Sequence, residues 1–357
     1  MSTVSFDGIF VVDLAGLNRE EKFRFVQTLW SDSGLSYASF DCSTYISYFR
    51  YIKESTEETR HHRRLFDKEI LGSFLGLIQI LKNTTSQPLS QTIDEVSRQY
   101  LNAEEDSIWR SLELCTRLWL TVHVNTPAIS VGPISRYELP LEWPKDMSLI
   151  DLMESRWRQG AGQGSKATAK VDVRFTAAYL VNICGMNLNW TDSLTDHLRR
   201  DPQRRTLTIY RHKICLVNHL RSKSACPIPK GVLSETLDTL NLLFPFGDAA
   251  TKQLLAGEGE LAFYRLGNCG REPNLNLGHY IHWREELDDL AEIFQSPPRT
   301  WKQLATDRRN LMEWAAFWVA VMVAFLTLVS IPCNLIQTTY SVKAYHATLA
   351  QASSCPR

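Results

Sequence analysis

Three groups of side chains in this sequence could do chemistry. Asp192 and Asp196 stand four apart, a spacing that puts two carboxylates on one face of a helix, where they could bind a cation or work as acid and base. His197, His212 and His219 follow them, with Cys184 and Cys215 close by, so an imidazole–thiol pair for nucleophilic work is a second option. His279 and His282 lie three apart ahead of Glu285 and Glu286, and His61 and His62 stand beside Arg63 and Arg64. Either histidine pair could begin a metal site. Neither has a third ligand in register, and two arginines beside an ion oppose its binding. The plain alternatives are a helix cap at Asp192 or Ser193, buried structural thiols, and solvated charged helix faces. Phosphate loop, dinucleotide fingerprint, serine elbow and HExxH motif are all missing from the sequence. No catalytic, cofactor-binding or metal residue is assigned, and no cofactor is expected.

A second kind of chemistry is electrostatic. Arg199, Arg200, Arg204, Arg205, Arg211 and Lys213 flank an expected short strand, with Asp201 the one acid among them. Such a group could meet anionic lipid head groups or an acidic partner, or simply be a solvated face. The whole chain balances 39 basic against 39 acidic side chains over 357 residues, which gives no support to a general nucleic-acid surface. Its 8 cysteines form no CxxC pair and read as free thiols rather than a disulfide framework.

The elements that must position these residues end in an apolar run, Trp314 to Cys333, with no charge in it. As a helix it is about 30 Å long, the thickness of a bilayer's hydrocarbon core. Pro332 should kink its last turn or mark its exit. Arg308, Arg309 and Trp314 form the expected membrane flank. Arg299, Lys302, Arg308 and Arg309 precede the run, whereas only Lys343 and Arg357 follow it. That bias places the preceding chain in the cytosol and the tail outside, a single-pass, tail-anchored arrangement in which the bilayer is the first partner. The first residues, MSTVSFDGIFVVDLAGL, lack the basic region of a signal peptide. Two glycosylation-type triplets, Asn83-Thr84-Thr85 and Asn189-Trp190-Thr191, should stay bare in that topology.

Ahead of the span the pattern is mainly α. Helices are expected from Arg19, around Tyr45–Tyr51 (with a strand as the alternative there), over Leu65–Leu81, Ile93–Tyr100, Ile108–Val124, Phe175–Cys184, Ser193–Leu198, Cys215–Leu220, along the Leu233–Leu243 ladder, and through Tyr280–Phe294. Met186–Trp190 and Leu207–Tyr210 alternate like strands, so a small α+β element with a two-stranded ribbon is expected near 186–211. The polar stretch GAGQGSKA suggests a linker at 160–168. The expected organisation is a helical domain at 1–159, that linker, a helical α+β domain at 169–298, a juxtamembrane and transmembrane helix at 299–337, and a short tail at 338–357.

The stretches FTAAYLVNICGMNLNWTDSLTDHLRRDPQRRTLTIYRHKICLVNHL, SETLDTLNLLFPFGD and WREELDDLAEIFQSPPRTWKQLATDRRN resemble segments of a filamentous-fungal family of C-terminally membrane-anchored proteins. The resemblance covers about residues 170–335. It implies a membrane anchor and carries no catalytic or ligand residue over. The expected function is therefore a non-enzymatic membrane-anchored interaction or adaptor protein, with an unidentified protein partner. Two alternatives stay open. One is a membrane-associated enzyme with an unusual site within 170–290. The other is a subunit of an ion-conducting oligomer, for which the span offers only Thr327 and Ser330 as polar groups.

Overall fold

Asn18 opens the first helix, α1 (Arg19–Leu29). Its side chain accepts from the Glu21 amide at 3.0 Å while Glu21 accepts from the Asn18 amide at 2.8 Å, so two orphan donors are satisfied reciprocally. The computed structural model describes residues 17–127, 139–158, 170–223, 226–296, 305 and 311–353. The first residues, MSTVSFDGIFVVDLAG, the linker at 160–168 and the flank residues Arg308 and Arg309 lie outside them. α2 (Ile46–His61) takes in the aromatic run and buries Tyr48, Phe49, Tyr51 and Ile52. The helix expected over Leu65–Leu81 is two: α3 (Lys68–Gly72), capped by Asp67 through the Glu69 and Ile70 amides, and α4 (Phe74–Asn83). Gly72 and Ser73 break the run, and Ser73 leaves helical geometry at φ −113°, ψ 29°.

After α5 (Leu89–Gln99) comes α6 (Glu105–Leu120), which is buried on every side from Ser107 onward. It ends at Thr121, whose φ of 52° turns the chain into the two-residue parallel pair β1 (Val124–Asn125) and β2 (Leu141–Glu142). α7 (Leu149–Arg158) and α8 (Ala177–Asn182) lead to the main sheet. This sheet has three strands in the order β3-β5-β4, with β3 (Asn187–Thr191), β4 (Arg200–Asp201) and β5 (Thr206–Tyr210). β3 and β5 run parallel in register Asn187↔Thr206 to Thr191↔Tyr210, and β4 pairs antiparallel to β5. The two-stranded ribbon thus gains a third strand. The helix expected at Ser193–Leu198 is a single 3₁₀ turn, Leu194–Asp196. Then follow α9 (Lys213–Arg221), α10 (Lys230–Leu243), α11 (Ala249–Gly257), α12 (Leu261–Arg265) and α13 (Arg284–Gln295).

The halves on either side of 160–168 share one hydrophobic core and form one compact unit up to Gln295. Buried side chains lock them together. Trp30 donates to His219 at 3.3 Å, Tyr45 and Asn218 exchange hydrogen bonds, and the Thr121 hydroxyl meets the Tyr210 phenol at 2.5 Å. The two domains expected from composition are therefore a single one.

Residues 296–357 form a second unit, dominated by α14 (Leu311–Ser353). Pro332 sits inside this helix rather than at its exit. The ring removes one backbone donor, and the helix continues for about six turns beyond it. At 43 residues it is about 65 Å long. The Thr327 and Ser330 hydroxyls donate to their own backbone, to Val323 at 2.8 Å and Thr327 at 2.9 Å, so neither is an orphan in an apolar setting.

Candidate functional site

The first functional feature is α14 itself. From Trp314 to Leu349 it is long and apolar enough to cross a membrane, and none of its most apolar stretch is buried within the chain. Trp318, Met322, Phe325, Leu328 and Ile331 all stand exposed. That much bare apolar surface is unstable in water at about 25 cal/mol per Å². Trp314 turns back to donate its indole N–H to the Ala305 carbonyl at 3.0 Å.

The second feature is the outer face of the three-stranded sheet. Alternation turns Leu188, Trp190, Leu207 and Ile209 toward the core and Asn187, Asn189, Thr206 and Thr208 away from it. Those four line a recess of about 480 Å³ together with Leu139, Leu188, Arg199, Arg200, Asp201 and Arg204. The six basic residues expected to act together do not form one bare patch. Arg199 pairs with Asp196 at 2.7 Å, Arg200 with Asp289 at 2.7 Å, and Arg204 with Asp201 at 3.8 Å. Arg205 donates to the Cys184 carbonyl at 2.5 Å. Lys213 is inside the molecule. It donates to Asn241 at 2.8 Å and to the Gly267 carbonyl at 2.7 Å, and its ammonium stands 5.0 Å from the Phe263 ring centre. Burial lowers it to about 8. The recess is thus a mixed polar and apolar surface whose charges are largely compensated.

Arg211 belongs to a third, half-buried arrangement around the buried His212 and Glu260. It binds Asp192 at 2.9 Å and lies 3.8 Å from Glu260, which also holds Arg50 and accepts from Ser47. His212 meets the same Asp192 at 2.6 Å. Rings of Tyr48, Tyr51 and Tyr210 surround the imidazole at centroid distances of 5.7, 5.0 and 5.6 Å. Burial pushes His212 down, whereas its bond to Asp192 pulls it up more weakly. For Asp192, burial acts upward, but the His212 hydrogen bond and the charge of Arg211 outweigh it and hold the carboxyl low. A neutral imidazole donating Nε2–H to a carboxylate fits both directions. The pair has the geometry of an oriented general base. It is walled in by aromatic side chains, however, and does not line the sheet recess. Asp196 is not part of it and faces Arg199 instead. Glu260 and Arg50 carried no signal in the sequence, since they are 210 residues apart.

The remaining candidates stay separate. His61, His62 and His279 are exposed, and the His282 amide donates to Glu235 at 2.7 Å. Among the described residues no group of three metal-binding side chains forms. Cys184 and Cys215 are both buried, and burial pushes the Cys215 thiol well up, which disfavours the reactive thiolate. No protein-family model, curated protein or solved structure matches this chain.

Proposed function

We propose that this chain is a membrane-anchored, non-enzymatic interaction protein, with the unit up to Gln295 presented at a bilayer surface by α14. The observation that carries the reading is an apolar helix of 36 residues, exposed all round, joined to a unit whose own core is complete without it. The sheet recess supports the interaction part. It offers amides, hydroxyls and partnered guanidinium groups beside the apolar Leu139 and Leu188 on a strand-backed surface, the equipment of a docking site rather than of a reacting centre. The Asp192–His212 pair, whose imidazole is fully buried, favours a structural role for the most base-like side chains. We further propose that the larger unit is cytosolic and the end of α14 lies on the other side, because basic residues crowd the sequence before the span.

Deleting residues 311–357 tests the anchor. The truncated chain should move to the soluble fraction, while the full chain stays with alkali-washed membranes. Protease added to sealed membranes tests the orientation. It should remove residues before the span and spare a short fragment after it, and survival of the large unit would reverse the proposed direction.

A further inference from the structure

A second groove, of about 540 Å³, lies where α1 meets the start of α2. Its floor is apolar, formed by Ile46, Phe49 and Cys42, and its rim carries Lys22, Arg50 and Lys53. Ile46 is 55% exposed, although it heads the helix that buries Tyr48 and Ile52 completely. Ile46, Arg50 and Lys53 fall at i, i+4 and i+7, so they form one stripe about 10 Å long on α2. The three cations are not equally occupied. Arg50 is tied to Glu260, and Lys53 approaches Glu57 at 3.7 Å. Lys22 stands 5.7 Å from the Phe49 ring centre, and no carboxylate partners its ammonium among the described residues. An apolar floor between cations is matched by a ligand with an apolar chain and an anionic head. The short run of the stripe suits such a chain better than a helix, which buries its face over several turns.

We propose that this groove binds a single-chain anionic amphiphile, its chain on Ile46, Phe49 and Cys42 and its carboxylate or phosphate head between Lys22, Arg50 and Lys53. The site goes beyond the anchor reading and does not depend on it, because every residue in it belongs to the unit up to Gln295.

The test is calorimetric titration of the full chain in discs of neutral phosphatidylcholine, or in plain buffer if the chain needs no lipid, with empty discs as the blank. The probes are octanoate, hexyl phosphate, octanol and octylammonium. Saturable binding of either anion, weaker binding of octanol and none of octylammonium is expected. Octanoate alone would point to fatty carboxylates, and hexyl phosphate alone to lipid phosphates, both within the proposal. Lys22→Glu should weaken the anion about fivefold, the order expected for reversing one exposed charge. Ile46→Asp should abolish binding, and Arg98→Glu on α5 should change nothing. Lys22 and Ile46 carry little of the core, so unchanged melting of both variants keeps the comparison clean. Anions that bind no better than octanol, or binding untouched by both variants, would overturn the proposal. So would binding that appears only after residues 1–14 are deleted, since the groove would then belong to the chain's own apolar and acidic first segment. A chain that needs no lipid yet binds the anions would refute the anchor and leave this site standing.

Discussion

Lowering the pH from 7 to 5 should cost this chain about 4 kcal/mol of folding stability through two buried histidines. His197 donates Nε2–H to the Thr239 hydroxyl at 2.7 Å, and its Nδ1 accepts the Tyr210 amide at 3.3 Å. His219 donates Nε2–H to the Trp119 carbonyl at 3.0 Å, and its Nδ1 accepts the Trp30 indole at 3.3 Å. Each ring therefore needs one nitrogen as an acceptor, and a second proton would set two donors face to face in the core. Burial holds His197 at about 3 and His219 at about 4, below their ordinary 6.5. At pH 5 both stay neutral when folded and are about 97% protonated when unfolded. The unfolded chain binds more protons, so stability falls as the pH drops, by roughly 2 kcal/mol per histidine. His212 acts in the same direction. The lowered carboxyls Asp41, Asp172 and Asp192 lose their contribution only below about pH 4, whereas Glu58 and Glu286, raised by burial, gain stability as the pH falls and offset part of the histidine loss. For a unit of this size the loss corresponds to a melting temperature lower by about 7 °C. The assay is thermal melting by tryptophan fluorescence in lipid discs at pH 7, 6 and 5 and constant ionic strength. His197→Gln should lower stability at pH 7 through lost packing on Trp283, yet halve the loss between pH 7 and 5. A melting temperature flat over that range, or an unchanged slope in the variant, would refute the reasoning.

Three further outcomes follow from single features. Glu235 accepts the amides of Ile281, His282 and Trp283 at 2.8, 2.7 and 2.7 Å. Glu235→Ala should destabilise the chain by about 3 kcal/mol in urea titration, because three donors lose their acceptor. Asn18→Ala should cost about 1 kcal/mol in the same titration by removing the α1 cap, with hydrogen exchange rising at Glu21 and its neighbours. Replacing Arg200 by Gln together with its partner Asp289 by Asn, which keeps the net charge, should leave the salt dependence of membrane association unchanged; a large loss on anionic vesicles would restore the lipid-contact reading.

What was legible in the sequence is what local pattern encodes. The Leu233, Leu237, Leu240 and Leu243 spacing reads α10 directly, and alternation locates β3 and β5 to within a residue or two. The break between α3 and α4 escaped because apolar spacing runs straight through Gly72 and Ser73, where backbone propensity decides. β4 is only two residues long, too short for alternation to register. The union of the two halves escaped because contacts such as Tyr45–Asn218 leave no mark on either neighbourhood. The basic group shows the same limit. Asp289, which neutralises Arg200, stands 89 residues away, and the burial of Lys213 beneath Phe263 depends on a helix that arrives later in the chain.

The most direct test of the anchor is flotation of purified full-length chain with neutral phosphatidylcholine vesicles in high salt, where surface attraction to head groups is screened. The chain should rise with the lipid, driven by hydrocarbon burial of α14 alone. A monodisperse protein left at the bottom of the gradient, stable without detergent, would contradict the anchor.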